Sequence, residues 1–164
     1  STDPNAIGRV ATRVVVPALG IDLPIVKQSG GPDAYPYCGV AMYIQELAQP
    51  GEGRATYIYA HARVGMFLPL LEASRVDGGR AIIGSLVEVY TSDDRLFLYE
   101  ISEVRPHQLS LADAMAATTE QLWLQTSEGP PGTKPKLQVV AEYLSDGTAD
   151  PAAAHPDPKP RVCE

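Results

Sequence analysis

Residues 85–104 read SLVEVYTSDDRLFLYEISEV, and this stretch decides the fold class. Two runs rich in β-branched, aliphatic and aromatic residues, Ser85–Tyr90 and Leu96–Val104, flank the turn cluster Ser92-Asp93-Asp94 and read as a β-hairpin. The same signals recur on both sides. Arg13–Val16 is a strand stopped by Pro17, since proline cannot donate to a ladder, and Ile21–Val26 follows the Gly20 turn. Ala55–Ala60 (ATYIYA) is a strand with Tyr57 and Tyr59 on one face and Ile58 and Ala60 on the other. Glu120–Thr126 and Lys136–Leu144 form a further pair, joined by the Gly/Pro loop EGPPGTKP. Helical stretches are short: Met66–Ala73, a turn around Leu111–Ala117, and Val40–Leu47. Many short strands with few short helices predict a closed, mostly β domain, a barrel or a sandwich.

The chain has 164 residues, enough for one domain. The boundaries expected are a flexible N-terminal segment over 1–8, a folded domain over 9–145, and a Pro-rich flexible tail over 146–164. Hydrophobic residues at 45% against charged residues at 20% allow a real core and exclude disorder over most of the length. The net charge of -7, with no basic stripe, argues against a nucleic-acid partner. No apolar run approaches the length of a membrane-spanning helix. The chain starts at Ser1 without an initiator Met and reads as a trimmed form.

Two cysteines, Cys38 and Cys163, do not make a disulfide scaffold, and His61, His107 and His155 are too scattered to complete a zinc framework. A bridge between the two cysteines stays open at this level. Glu46, Glu52, Asp93 and Asp94 lack the spacing of a calcium loop, so neither metal nor cofactor is expected.

Three segments carry candidate chemistry. His61 directly follows the strand Ala55–Ala60, at the rim of a sheet where an imidazole reaches solvent; a surface histidine ending a strand is the plainer reading. Ser127 ends LWLQTS, where a turn-initiating serine is the plainer reading. Lys136 opens the strand KLQVVA, as an oxyanion-stabilising cation or as an edge-strand lysine that discourages aggregation. If the strands from Glu120 and Lys136 pair antiparallel, Ser127 and Lys136 share one end. Cys38 is an alternative nucleophile if Cys38-Gly39-Val40-Ala41 opens a helix whose N-terminus favours the thiolate; a small buried core thiol competes with that reading.

A strand ending in His, a strand ending in Leu-x-Thr plus a nucleophile, and a strand opened by a cation, in this order, resemble the sortase family. The resemblance runs from about Arg13 to Leu144. RVVVPALGIDLPIV is similar to the opening strand pair, TYIYAHAR to the strand ending in the catalytic His, VGMFLPLLEA to the short helix after it, and LVEVYTSDDRLFLYEI to the central hairpin. It implies an eight-stranded β-barrel transpeptidase on the outer face of a bacterial membrane. Such an enzyme cleaves an LPxTG-type sorting signal after Thr, holds it as a thioacyl group on cysteine, and transfers it to a cell-wall or pilin amine. Membrane attachment would then come only from an N-terminal anchor outside this chain. The resemblance gives His61 the general acid/base role and puts Ser127 at the nucleophilic cysteine and Lys136 at the arginine.

Two of these positions depart from the family pattern. A serine hydroxyl needs a base hydrogen-bonded to it, whereas a thiol is already partly ionised near neutral pH. Lysine keeps the charge of arginine but loses its planar fork of donors. Three readings follow: a sortase-like protein whose activity is weak or absent, binding a peptide in the cleft; an active enzyme using Ser127 or Cys38 with His61; and an ordinary sortase whose cysteine has been exchanged for serine. Outside the family, a secreted peptide-binding or adhesion module would use Tyr57, Tyr59, Tyr90 and Tyr99 at its interface.

Overall fold

The hairpin expected over residues 85–104 forms as β5 (Leu86–Thr91) and β6 (Arg95–Gln108). Asp94 sits at its turn in the left-handed region, φ 61°, which a short Asp side chain tolerates. The computed structural model describes residues 8–28 and 36–163. The other strands are β1 (Ala11–Val16), β2 (Ile21–Lys27), β3 (Ala41–Tyr43), β4 (Ala55–Tyr59), β7 (Gln121–Ser127) and β8 (Lys136–Thr148). They close into a barrel in the order β1-β2-β3-β4-β7-β8-β6-β5. Among the described residues three short α-helices decorate it, α1 (Leu68–Ser74), α2 (Ala112–Met115) and α3 (Pro151–Ala154). The fold is thus the mostly β, closed eight-stranded barrel that the resemblance implied.

Side-chain alternation sorts the strands into an inside and an outside. Ile58, Leu122, Leu124, Leu137 and Val139 are buried in the main core, where Phe97, Tyr99 and Ile101 of β6 meet them. The intervening residues Tyr57, Trp123 and Val140 face outward, where they join Ala55 and Ala114 of α2 in a second apolar cluster. Each fully buried Leu or Phe contributes roughly 1.5–3 kcal/mol of transfer free energy.

Tyr57 and Tyr99 are fully buried, which removes them from any interface of the adhesion type. Two pairings matter most for the site. β4 and β7 run parallel, with Tyr59 opposite Gln125, and β7 and β8 run antiparallel, with Ser127 opposite Lys136. The pairing expected across the EGPPGTKP loop is therefore formed.

Two expectations differ from the structure, and a third falls largely outside the described residues. Val40–Leu47 is not a helix: Ala41–Tyr43 adds in parallel to β2, with Ile25 opposite Ala41, because the edge of β2 offers backbone partners that an isolated short helix lacks. The segment 146–164, expected as a loose tail, is ordered over its described residues 146–163, where it completes β8, forms α3 and then pairs with Cys38 through Arg161. Of the segment 1–8, residues 1–7 lie outside the described residues.

Candidate active site

β4 delivers His61 two residues beyond its end. Tyr59 lies opposite Gln125 in the last pair of the parallel register, and just beyond it His61 and Ser127 leave their strand ends into the same cleft. A buried hydrogen bond holds this junction together: Thr126 Oγ1 donates to the Ala60 carbonyl at 2.8 Å, while Ala60 N–H donates to Gln125 O at 3.2 Å. The turn after His61 closes on it, with Phe67 N–H donating to His61 O at 3.0 Å, and α1 follows.

Ser127 and Lys136 form a cross-strand pair at the mouth of the β7–β8 loop. Lys136 Nζ lies 3.3 Å from Ser127 Oγ and 3.0 Å from Thr133 O. The loop itself is folded, with Thr133 N–H and Oγ1 both donating to Pro130 O, at 3.1 and 2.8 Å. Immediately after the serine, the Glu128 carboxylate accepts from His107 N–H at 3.1 Å and contacts His107 Nδ1 at 3.0 Å. The Arg75 guanidinium donates to Glu128 O at 2.9 Å. The residue after Ser127 is thereby anchored through its backbone to Arg75 and through its carboxylate to His107.

His61 is 9% exposed, and its Nε2 lies 2.8 Å from Pro36 O. A carbonyl only accepts, so Nε2 carries a proton and donates it there. The imidazole also abuts Cys38 and Cys163, whose sulfurs lie with a ring nitrogen inside 4.8 Å.

Ser127, Lys136 and His61 open into one cleft of about 940 Å³ on the outer face of the β4/β7/β8 sheet. Its floor includes Tyr59, Gln125 and Gln138, and one wall is apolar, from Ile44, Leu47, Leu109, Leu111 and Met115. Gln138 Nε2 donates to Tyr57 Oη and to Ser110 O, both at 3.0 Å, which fixes the floor to the wall. Burial pushes the Tyr57 hydroxyl far above its ordinary value, so it acts as a neutral donor. Chemically, the cleft offers a hydroxyl, an amine and an imidazole beside an apolar groove.

A family model described as the sortase domain matches residues 14–143. The chain belongs to the sortase family. Solved sortases share its fold at low identity. Listeria monocytogenes sortase A superposes with a TM-score of 0.66 at 16% identity, covering 86% of this chain and 91% of that one. A pilus-related sortase C of Group B Streptococcus gives 0.65 at 16% identity, covering 83% and 68%. Sortase C-1 of Actinomyces oris gives 0.63 at 16%, covering 82% and 71%. Comparison with curated protein sequences finds no match.

In this sortase Cys38 is not a free nucleophile. It is bonded to Cys163, is fully buried, and lies before a strand rather than at a helix N-terminus. With both sulfurs joined, the Cys38–His61–Cys163 cluster retains one good metal donor, the imidazole, too few for a zinc site. Sequence reasoning missed the supports of the site. Thr126 sits inside the Leu-x-Thr motif, so its neighbours marked it, but nothing in the sequence pattern links Glu128 to His107 or Lys136 to Thr133.

Proposed function

We propose that this sortase acts on the cell surface, binding an LPxTG-type sorting-signal peptide in the cleft and transferring its acyl group through Ser127 to an amine of the cell wall or a pilin. The observation that carries the reading is the convergence of Ser127, Lys136 and His61 on one cleft with an apolar wall. Leu109 and Met115 are largely exposed on that wall, which suits the Leu and Pro side chains of such a peptide. A peptide laid along the groove would present its scissile carbonyl at the strand ends, next to Ser127. Because the acceptor atom is a hydroxyl, turnover is weakened relative to a thiol at the same place.

Peptide binding without turnover is a second reading. The hydrogen bond from His61 Nε2 to Pro36 O favours it, since that nitrogen is occupied as a donor. Mass spectrometry separates the two. The chain and its Ser127→Cys variant are incubated with an LPxTG-type peptide pool and a small amine. The proposal expects acyl adducts and amide product from both, at least tenfold faster from the variant. Product from the variant alone would establish the non-catalytic reading, and silence from both would sink the peptide assignment.

A further inference from the structure

We propose that Lys136 is the general base of this sortase, forming a Ser127–Lys136 dyad that generates the serine nucleophile. The inference rests on the reading of Ser127 as acyl acceptor and names the group that activates it. A hydroxyl attacks only if a base takes its proton as it reacts. Lys136 Nζ lies 3.3 Å from Ser127 Oγ, already close to proton-transfer distance before any substrate is bound. The cross-strand register fixes this pair, and Thr133 O steadies the amine from the other side at 3.0 Å. His61 is turned differently, with Nε2 donating to Pro36 O and the ring against the disulfide.

The chemical difference between the two basic side chains gives the pairing its logic. A guanidinium holds its proton throughout the working pH range and cannot act as a base, whereas an amine can. Serine with lysine is therefore a competent couple, while serine with arginine is not. Cysteine with arginine remains competent because the thiolate forms without such a base.

The step balances as follows. Neutral Lys136 Nζ takes the Ser127 hydroxyl proton while Oγ bonds to the scissile carbonyl carbon, and the carbonyl π pair moves to oxygen. The tetrahedral adduct collapses with loss of the C–N bond, and the ammonium of Lys136 returns its proton to the leaving amine. An ester on Ser127 and a neutral Lys136 remain. Attack by the acceptor amine reverses the sequence: its proton passes to Lys136, the C–Oγ bond breaks, and Oγ regains a proton.

Other titratable or charged groups share the cleft. Tyr59 and His61 come from the end of β4, Arg63 from the turn beyond, Glu46 from the segment after β3, and Lys134 from the β7–β8 loop. Glu128 is engaged by His107.

The test uses a probe that needs no peptide motif. The chain, Lys136→Arg, Lys136→Met, His61→Asn, Ser127→Cys and the double variant Ser127→Cys/Lys136→Arg are treated with p-nitrophenyl acetate across pH 6–10. Adducts at residue 127 are located by mass spectrometry, and folding of each variant is checked by thermal unfolding. The dyad predicts a pH-dependent ester on Ser127 whose rate falls about 10²–10⁴-fold in both lysine variants, losing its rising alkaline limb, and keeps that limb in His61→Asn. It also predicts that the double variant acylates within about tenfold of Ser127→Cys. Acylation of Ser127 at an equal rate in Lys136→Arg, or no adduct at Ser127 in the chain itself, overturns the proposal. A lysine-dependent ester with no peptide product keeps the dyad and rejects the peptide substrate, so the two readings fail separately.

Discussion

Thr126 Oγ1 is fully buried and donates to the carbonyl of Ala60, the residue just before His61, so one hydroxyl ties together the two strand ends that carry the candidate nucleophile and imidazole. Replacing it by the isosteric Thr126→Val leaves the Ala60 carbonyl short of a donor in a dry environment. The expected cost is about 1–2 kcal/mol, measured as a lower midpoint in urea unfolding. The rate of Ser127 acylation should fall further than the lost stability alone explains, because Thr126 also fixes the end of β7 that sets Ser127 against Lys136. The same scale holds the Ser127–Lys136 contact, a polar pair made by side chains on the first and last residues of neighbouring strands.

At the scale of elements, the C-terminal strap stands out. After β8 and α3 the chain crosses to Cys38, where Cys38 N–H donates to Arg161 O at 2.8 Å and Arg161 N–H returns the bond to Cys38 O at 3.0 Å. The Cys38–Cys163 bond closes a span of 125 residues and lies against His61. Removing it by Cys163→Ser should cost about 2–4 kcal/mol in guanidinium unfolding, since a long closed loop constrains the unfolded chain. Proton NMR of the imidazoles should show His61 displaced by this change while His107, held by Glu128 at the start of the β7–β8 loop, stays in place. A shift of both would mean that the strap supports the whole rim and not the His61 corner.

For the whole molecule, closure of the barrel is reinforced where its first strand enters. Arg9, only 3% exposed, pairs with Asp93 in the β5–β6 turn at 2.9 Å, donates to Pro50 O at 3.1 Å, and lies over the Phe97 ring. Burial alone would raise the Asp93 carboxyl, but hydrogen bonds from Arg9 and Thr91 outweigh it and hold the group below its ordinary value of 3.8. A carboxylate depressed in the folded state stabilises the fold above its unfolded value, and that contribution disappears as pH falls through the folded one. Asp93→Asn should therefore lower stability at pH 7 by about 1–3 kcal/mol, given a partly exposed partner. The gap between parent and variant should narrow progressively below about pH 4 in acid titrations of unfolding. A gap constant from pH 7 to pH 2 would show that the pairing carries no charge-dependent stabilisation.

Strand periodicity, turn chemistry and the position of prolines act over a few residues, so the sequence by itself determined most of the elements: the 85–104 hairpin, the ATYIYA strand leading to His61, the strand ending in Ser127 and the strand opening at Lys136. The same local signals misjudged 40–47, whose three-residue strand exists only because β2 supplies a partner edge. They also read 146–164 as loose, because α3 is short and the segment is held by Cys38, far away in the chain. What only the tertiary structure decided is the order in which the strands close. The parallel β4/β7 pairing brings His61 and Ser127 to one cleft, and the cross-strand pairing of β7 with β8 then sets an amine at 3.3 Å from a hydroxyl. It also joined the two cysteines and so removed Cys38 as a nucleophile. The reason is physical: register between distant strands is chosen by burial of the whole apolar set at once, and no window along the chain contains that information.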